Sequence, residues 1–357
     1  MLDVNVKKKD QKLIRAAREK MMKNPVLRHL FLELTLRCNE KCLHCGSSCG
    51  DVLSNEMGVE QYDKFLHEVA DDFDIKKFML NITGGEPLLR KDFFEIMEIA
   101  NKLGYNWGMT SNATLITHDV AKDLAKVGMK TISVSIDGLK DTHDNFRRTP
   151  GGWDKALQGV QNLIDTKAFN HIQITTVVTH QNISELPELY KLLDIIDIDS
   201  WRIIEMDPIG RALQHPELLL TKNDIKTMAE FIRNMRIKGE PVVYGCSHYL
   251  GLDYEHEIRD WYFMCLAGIG VASICCNGDI VSCLDIERRP EFIQGNIKTD
   301  RFKDVWENKF KEFRVNLDER NTKCSECEHK DNCHGGSFHT WDFDKNEQRV
   351  CFKDALF

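Results

Sequence analysis

Residues 31–50 read FLELTLRCNEKCLHCGSSCG, and four cysteines follow directly after an apolar run. The run FLELTL is typical of a buried strand. Cys38, Cys42 and Cys45 then follow with C-x3-C-x2-C spacing, so one loop carries three thiols. Iron–sulfur clusters are held by thiolates, whereas structural zinc sites usually have four ligands in paired C-x2-C units. The stretch therefore predicts a strand that leads into a 4Fe–4S site with one iron left open for a cofactor.

The composition narrows the class of protein. The chain has 357 residues, a net charge of −8 and 13 cysteines. Its acidic balance argues against a nucleic-acid partner bound through phosphates. No apolar run reaches the roughly 20 residues of a membrane helix and no signal peptide opens the sequence, so we predict a cytoplasmic protein without a membrane partner. Because reducing compartments keep thiols free, the cysteines indicate metal or iron–sulfur ligation.

Apolar runs rich in β-branched and aromatic residues alternate with helical stretches through the first two thirds of the chain. This βα alternation predicts a parallel sheet, and six units predict an α/β fold, a partial (β/α)6 TIM barrel. Functional residues are expected at the carboxyl ends of the strands. The predicted strands are 30–36, 77–83, 107–110, 131–136, 172–178 and 201–204, and the predicted helices are 59–72, 91–103, 118–127, 153–166 and 184–193.

Three regions are predicted along the chain: an N-terminal helical extension at 1–27, the barrel at 28–240 and a small cysteine-rich domain at 241–357. The extension alternates basic and apolar residues, as surface amphipathic helices do. Elements of the cysteine-rich region are too short to build much apolar core. We therefore expect bound clusters to supply part of its stability.

The cysteine triad and a second motif together resemble the radical S-adenosylmethionine (SAM) superfamily. The second motif is Gly84-Gly85-Glu86-Pro87, which ends the second predicted strand and resembles the family's GGE motif for the amino group of SAM. Glycines let the backbone approach a ligand closely, and Glu86 supplies a carboxylate for an ammonium group. The resemblance implies a 4Fe–4S cluster on the three cysteines with SAM bound to its open iron.

Further SAM contacts follow from the same resemblance. It implies that Ser135 contacts the ribose region of SAM and that Arg147 pairs with the SAM carboxylate, while Asn112 lies at the same face. In this family the cluster reductively cleaves SAM to a 5′-deoxyadenosyl radical, which abstracts a hydrogen atom from the substrate. The cofactor supplies the reactivity and the protein supplies position and shielding. An electron donor such as flavodoxin or ferredoxin is the partner that this chemistry requires.

The late cysteines resemble the SPASM extension of radical SAM enzymes. Cys265, Gly278 and Cys283 match its C-x9–15-G-x4-C opening. By analogy with sulfatase-maturating enzymes, the closing half implies a fully ligated auxiliary 4Fe–4S cluster. Its ligands would be Cys324, Cys327, Cys333 and Cys351. The resemblance extends from about residue 30 to residue 351, nearly the whole chain.

The second auxiliary cluster departs from the family pattern. Ser337 stands where a further cysteine is expected, which leaves Cys265 and Cys283, with Cys275 and Cys276 close enough in sequence to substitute. Three outcomes are open: a cluster rebuilt with Cys275 or Cys276, a site open to substrate, or a single auxiliary cluster with ligands from both halves. Of these, we expect two auxiliary clusters.

SPASM enzymes mostly modify peptides, so the resemblance implies a peptide substrate and an epimerised residue or a thioether or carbon–carbon crosslink in a ribosomally synthesised peptide. A separate leader-recognition protein, the barrel rim or the SPASM surface would recognise that peptide. Cys246 is a candidate hydrogen-atom donor, since no cluster motif includes it; the alternative is a buried small apolar residue. Asp285 is a candidate acid or base, and the alternative is a surface turn.

Two other kinds of function compete with peptide modification. One is enzymatic, namely oxidation of a small molecule or sulfatase-type formylglycine maturation. The other is a non-catalytic iron–sulfur electron carrier or a zinc module. A carrier explains the late cysteines but leaves Glu86, Ser135 and Arg147 without a role, so an enzyme is the better prediction.

Overall fold

A computed structural model describes residues 4–51, 55–245, 248–260 and 262–357. The strands are β1 (His29–Glu33), β2 (Met79–Thr83), β3 (Trp107–Ser111), β4 (Thr131–Ser135), β5 (His171–Val178), β6 (Ser200–Glu205), β7 (Val242–Tyr244), β8 (Val271–Ile274), β9 (Asp279–Val281), β10 (Gly295–Asn296), β11 (Trp341–Asp342) and β12 (Glu347–Gln348).

The helices are α1 (Val4–Lys23), α2 (Val59–Asp72), α3 (Phe93–Leu103), α4 (His118–Lys126), α5 (Lys140–Arg147), α6 (Gly152–Thr166), α7 (Leu186–Ile195), α8 (Lys222–Ile237), α9 (Leu252–Ile258), α10 (Phe302–Asn308), α11 (Thr322–Ser325), α12 (Lys330–Cys333) and α13 (Lys353–Leu356). In the part of the chain that the structure describes, no helix combines the length and the apolar character needed to cross a membrane.

One sheet organises the molecule. Its strand order is β10-β9-β8-β1-β2-β3-β4-β5-β6-β7. Strands β1 to β7 pair in parallel with their sequence neighbours, and β8 pairs in parallel with the other side of β1. Strands β9 and β10 extend the sheet with antiparallel pairs. The predicted α/β class and its six-strand open barrel are thus confirmed, with cysteine-rich chain added at one edge.

Side-chain alternation along the strands explains why polar side chains reach the barrel interior. In β2, Leu80 and Ile82 are fully buried in the apolar core, whereas Asn81 between them is half-buried and lines a central cavity. The same alternation occurs in β4, where Ser133 lines the cavity. Successive side chains of a strand point to opposite faces. One face of the sheet therefore supports the fold and the other is available for binding.

All six predicted strands and all five predicted helices are present, with ends shifted by a few residues. Helix α5 is absent from the predicted set because its sequence, KDTHDNFR, has a single apolar residue, Phe146, and hence no apolar periodicity. The sheet also continues past residue 240, since β7 pairs with β6 and β8 returns to β1. The domain boundary near residue 240 stays a prediction.

Helix α1 is attached to the cysteine-rich region by a buried arginine. Arg18 is 1% exposed, and its guanidinium donates to Asn316 Oδ1 (3.1 Å), Cys265 O (2.9 Å) and Val315 O (3.3 Å). Arg15, one turn earlier, donates to Asp331 (2.9 Å). The predicted surface helix therefore carries one face that binds the region around Cys265.

Replacing Arg18 by Met should release this helix. The change leaves three buried acceptors without their donor, and each such loss costs about 1–3 kcal/mol. We expect the backbone amides of α1 to exchange with deuterium about 100-fold faster in the variant, measured by hydrogen exchange and mass spectrometry. Lys20→Met, on an exposed position of the same helix, is the control. Unchanged exchange in Arg18→Met would show that these hydrogen bonds do not hold the helix.

Candidate active site

The first three cysteines lie together in the loop after β1, at the carboxyl end of the sheet. Cys42 is buried, and Cys38 and Cys45 are half-buried. Burial raises the pKa of Cys38 to about 12 and that of Cys42 well above its usual value, and the nearby charge of Cys45 raises both further. Metal coordination deprotonates a thiol outright. The loop therefore suits a cationic cluster as the partner of its thiolate forms.

Cys49 lies against this triad. It is 3% exposed, and its backbone N–H donates to Cys45 Sγ at 3.2 Å. Its thiol also hydrogen-bonds to Cys45, which is the largest cause of the lowered pKa of Cys45, about 6. The sequence predicts a nearby free thiol, and the contacts add that Cys49 is a hydrogen-bond donor to a member of the triad.

The two glycines of the GGEP motif pack directly on the chain that leads into the cysteine loop. Gly85 N donates to Thr35 O at 2.7 Å. A Cβ added to Gly85 would lie 2.1 Å from Arg37 O and 3.0 Å from Cys38 Cβ, and one added to Gly84 would lie 2.4 Å from Thr35 O. These separations are far below van der Waals contact, so only glycine permits this approach.

Glu86 places a buried carboxylate beside the cysteine loop. It is 0% exposed and accepts from the Ser111 hydroxyl (3.0 Å) and from Asn112 N (2.9 Å). Burial raises the pKa of Glu86 to about 7. The Asn112 side chain donates to Asn39 Oδ1 at 2.8 Å and lies 4.0 Å from Cys38 Sγ. A cationic group bound here would be the missing charge partner of Glu86.

Arg147 holds the same loop from the other side. Its guanidinium is buried and donates to Glu40 and Asp137, each at 2.7 Å, while its carbonyl accepts from Lys41 N. Burial opposes its charge, but Asp137 and other anionic neighbours keep the pKa of Arg147 well above its usual value. The observed contacts make Arg147 a support of the cysteine loop, and its pairing with the SAM carboxylate stays a prediction.

The remaining residues predicted for SAM binding lie at the same end of the sheet. Ser135 ends β4 and is half-buried, and Pro87 is buried at the start of the 3-10 turn Pro87–Leu89. Both follow carboxyl ends of strands, where binding residues of such folds collect. The structure thus brings the cysteine triad, the GGEP motif and the ends of β3 and β4 into one region.

A central cavity of about 570 Å³ runs between the barrel strands and the cysteine-rich region. Its size falls within the range of small-molecule and cofactor sites. The barrel contributes side chains from β1 to β6, and the cysteine-rich region contributes the opposite wall. The residues that matter below are His29, Phe31, Asn81, Met109, Thr110, Ser133, His171, Gln173 and Arg202 on the barrel, and Cys265, Cys283, Asp285, Ser337 and His339 on the other side.

Asp285 reaches from the cavity wall toward the first cysteine loop. Its Oδ2 lies 4.0 Å from Cys283 Sγ. A Cβ added to Gly46, the residue after Cys45, would lie 3.7 Å from Asp285 Oδ1. Asp285 lies in a turn and is exposed, as the surface-turn alternative expects, and its role as acid or base stays a prediction.

The residues considered for the second auxiliary cluster fall into two places. Cys265 and Cys283 line the central cavity, whereas Cys275 lines a separate cavity of about 270 Å³ together with Cys283. Cys276 N donates to Glu33 Oε1, and Arg288 pairs with that same carboxylate. Burial raises the pKa of Cys275 to about 12. Cys283 therefore borders both cavities. The ligand set of the second auxiliary cluster stays a prediction.

The four closing cysteines surround one small cavity of about 100 Å³. Burial raises the pKa of Cys333, and the charges of the other three thiols raise it further. Lys353 Nζ lies 4.0 Å from one of them, Cys327. Four converging thiols are the ligand number of a closed iron–sulfur or zinc site. The four are Cys324, Cys327, Cys333 and Cys351.

Cys246 lies outside the described residues, but its flanks are described. Arg259 donates to Gly245 O (2.8 Å) and to His248 O. The flanks follow β7, at the carboxyl end of the sheet. Nearby, His248 forms a buried group with Glu205 and Asp207, two carboxylates that the sequence-based prediction missed. Glu205 and Asp207 immediately follow a predicted strand, and that position is the signal that points to them.

Comparison with known proteins places these features in a family. Residues 32–193 match the model of the radical SAM superfamily, and residues 265–328 match the SPASM iron–sulfur cluster-binding domain. The AdoMet-dependent heme synthase of Methanosarcina barkeri is 30% identical over 322 residues, covering 85% of this chain and 89% of the relative. Mycofactocin maturase MftC of Mycolicibacterium smegmatis is 30% identical over 316 residues, covering 86% and 77%.

A solved structure has a similar fold over nearly the whole chain. Streptococcus suis SuiB bound to S-adenosylmethionine superposes with a TM-score of 0.72 at 17% identity, covering 95% of this chain and 80% of SuiB. SuiB has also been solved bound to its precursor peptide SuiA, with the same TM-score. The similarity extends over both the barrel and the cysteine-rich region.

Gly85→Ala tests the packing beneath the triad. Because its Cβ would overlap Arg37 O, we expect Cys38 to shift and the strain to cost about 1–3 kcal/mol. After anaerobic reconstitution, the variant should hold less iron and sulfide per chain than the wild type. Gly270→Ala is the matched control, because its Cβ would lie 3.5 Å from Val26 O. An iron content equal to the wild type in Gly85→Ala would contradict the need for this close approach.

Proposed function

Because this chain belongs to the radical SAM superfamily and carries a SPASM iron–sulfur domain, we propose that it modifies a peptide by hydrogen-atom abstraction. The radical SAM core binds a 4Fe–4S cluster and SAM, and the SPASM region binds auxiliary iron–sulfur clusters. Bound together, the first cluster and SAM supply the radical that abstracts the hydrogen atom.

Within this proposal the residues at the carboxyl end of the sheet bind the radical-generating group. Cys38, Cys42 and Cys45 hold the cluster, and Glu86 accepts the ammonium group of SAM. A cation beside this buried carboxylate lowers its pKa from about 7 and fixes it in the ionised form. Ser111 and Asn112 orient the carboxylate through their hydrogen bonds. Gly84, Gly85, Pro87, Ser135 and Arg147 complete the pocket in the roles that the sequence predicts.

The central cavity is the observation that favours a peptide substrate. Its barrel wall presents neutral amides and hydroxyls, among them Asn81, Gln173, Thr110 and Ser133. Such groups both donate and accept hydrogen bonds, as do the N–H and C=O groups of a peptide backbone. Phe31 and other apolar side chains of the same wall suit a peptide side chain. The names of two similar proteins, a mycofactocin maturase and the peptide-bound SuiB, point in the same direction.

The heme synthase relative raises an iron porphyrin as the competing substrate. The carboxylates of a porphyrin require several cationic partners. Among the described residues that line the cavity, Arg202 is the one arginine, and lysine is absent. Burial lowers the pKa of His29, which keeps this lining histidine neutral. Burial also opposes the charge of His339, but its hydrogen bond to Asp207 raises its pKa to about 9, so His339 is a second cation of the lining. With Arg202 and His339 as cations and Asp285 as a carboxylate, the lining offers fewer cationic partners than a polycarboxylate requires, which favours a neutral peptide segment.

Two side chains complete the proposed reaction site. Asp285 acts as acid or base at the cavity wall, close to the first cysteine loop. Cys246 donates a hydrogen atom to a substrate radical in an epimerisation. The cysteines proposed for auxiliary clusters shape the opposite wall, with Cys324, Cys327, Cys333 and Cys351 holding one cluster farther away. The same proposal divides the chain into an N-terminal extension at 1–27, a barrel at 28–240 and a cysteine-rich domain at 241–357. It also includes two partners, a leader-recognition protein and a flavodoxin or ferredoxin that donates electrons.

Anaerobic turnover in deuterated water tests the reaction. A peptide encoded beside the gene is incubated with the reconstituted enzyme, SAM and reductant, and the product is analysed by mass spectrometry and chiral amino-acid analysis. We expect either uptake of one deuterium with inversion, which is epimerisation, or loss of two hydrogens, which is crosslinking or oxidation. Iron coproporphyrin is assayed in parallel. Consumption of the porphyrin with an unchanged peptide would contradict peptide modification.

The same assay separates the role of Cys246 from the proposed substrate. If the wild type epimerises the peptide, Cys246→Ala should still consume SAM but give little deuterated, inverted product. Thr227→Ala, at an exposed position on α8 far along the chain from every cysteine motif, is the control. Full epimerisation by Cys246→Ala would show that another group donates the hydrogen atom.

A further inference from the structure

A buried group of metal-ligand side chains lies at the carboxyl ends of the last two barrel strands, outside every cysteine site. Glu205 is the last residue of β6, Asp207 follows two residues later, and His248 lies just beyond β7. All three are buried, and one ligand atom from each lies within 4.8 Å of the others. In barrels of this kind, the carboxyl ends of strands are where functional side chains collect.

Glu205 has an unmet electrostatic requirement. Its side chain is 3% exposed, and neither carboxylate oxygen has a hydrogen-bond partner within the described residues. The hydroxyl of Tyr244 lies close to this carboxyl, and His248 Nε2, 3.3 Å from Oε1, is its nearest basic neighbour. A buried carboxylate with few hydrogen-bond partners is costly, and such groups usually coordinate a metal or pair with a charge. Glu205 therefore points to a ligand at this position.

The distances within the group match those around a bound cation. His248 Nε2 lies 2.7 Å from Asp207 Oδ1 and 3.3 Å from Glu205 Oε1. Metal–ligand distances of about 2.0–2.2 Å place neighbouring ligand atoms roughly 3 Å apart. Small outward shifts of the three side chains would leave room for one ion between them. Because His248 Nε2 faces both carboxylates, one ion placed beside it would contact all three side chains.

We propose that Glu205, Asp207 and His248 bind one divalent transition-metal ion. Two carboxylates and an imidazole suit zinc or manganese, whereas calcium and magnesium prefer oxygen ligands alone. The absence of sulfur from this ligand set separates it chemically from the thiolate sites. Two anionic carboxylates and a neutral imidazole also offset the charge of a divalent ion, and the carboxylate of Glu205 gains a stronger charge partner than the imidazole of His248 alone.

This ion would connect the barrel to the wall of the central cavity. The second oxygen of Asp207, Oδ2, accepts from His339 Nε2 at 3.2 Å, and His339 lines the cavity. On the other side, the ring of His248 stacks on Phe352 with a centroid distance of 4.4 Å. The ion thus fixes the ends of β6 and β7 relative to the cysteine-rich region, and through Asp207 it orients His339.

Anomalous diffraction tests the site in the intact protein. Crystals of the reconstituted holoenzyme are grown anaerobically with Zn²⁺, and data are collected on both sides of the zinc absorption edge, which separates zinc from the iron of the clusters. We expect a zinc peak between Glu205, Asp207 and His248. Zinc found at cysteines alone, or an empty site with Asp207 paired to both histidines, would overturn the proposal.

A solution experiment adds a matched pair of variants. Glu205→Gln keeps the shape of the side chain but removes its charge, and Glu188→Gln changes an exposed carboxylate on α7. Zinc content is measured by plasma mass spectrometry, and the zinc ligand shell by X-ray absorption. We expect wild type and Glu188→Gln to retain zinc in a nitrogen and oxygen shell and Glu205→Gln to lose it. Retention of that zinc by folded Glu205→Gln would overturn the assignment, and the diffraction test stands if the variant does not fold.

Discussion

The backbone of Gly84 and Gly85 lies directly against the chain that leaves β1, and the position of the first cysteine depends on this contact. A side chain on Gly85 would occupy the place of the Arg37 carbonyl and press on Cys38. The next residue, Glu86, is thereby held in the interior, where its carboxylate accepts hydrogen bonds from the end of β3. Three thiols and one buried carboxylate are thus fixed relative to each other by main-chain packing rather than by flexible side chains.

Helix α5 completes this arrangement through charge. Arg147 lies between Glu40 of the cysteine loop and Asp137 beyond β4, with both carboxylates at 2.7 Å. Breaking one partner of such a buried pair is strongly destabilising, because it leaves an uncompensated charge in the interior. The cysteine loop is therefore held on one side by the two glycines that follow β2 and on the other by the ion pairs of Arg147 in α5. A loop held on two sides keeps its three thiols in fixed positions.

The sequence predicts much of this because the relevant signals are local. Short apolar runs between helical stretches mark all six barrel strands, and short motifs mark the ends of β1 and β2. Helix α5 is not predicted, because KDTHDNFR is stabilised by contacts with the cysteine loop and not by an apolar stripe. The return of β8 to β1 and the contact of Cys49 with Cys45 join residues by packing that no spacing encodes. The group of Glu205, Asp207 and His248 unites two strand ends, which is visible only once the sheet order is known.

The second auxiliary site shows the same limit of local patterns. Cys265 and Cys283 are separated by a short segment that contains β8 and β9, and the sheet carries this segment to the edge beside β1. Cys283 and Asp285 consequently border the central cavity, and Ser337 joins them from a distant part of the sequence. Spacing alone identifies these residues as a departure from the family pattern, whereas the fold identifies the cavity that they face.

Formation of 5′-deoxyadenosine from SAM is the most direct measure of the central claim, which is that Glu86 and the first three cysteines form one radical-generating site. The wild-type protein, reconstituted and reduced without oxygen, should form 5′-deoxyadenosine. Glu86→Gln should keep its iron and sulfide but lose most of this activity, while Glu60→Gln, on α2, should match the wild type. Full activity in Glu86→Gln, or a protein that binds zinc without sulfide, would contradict the claim.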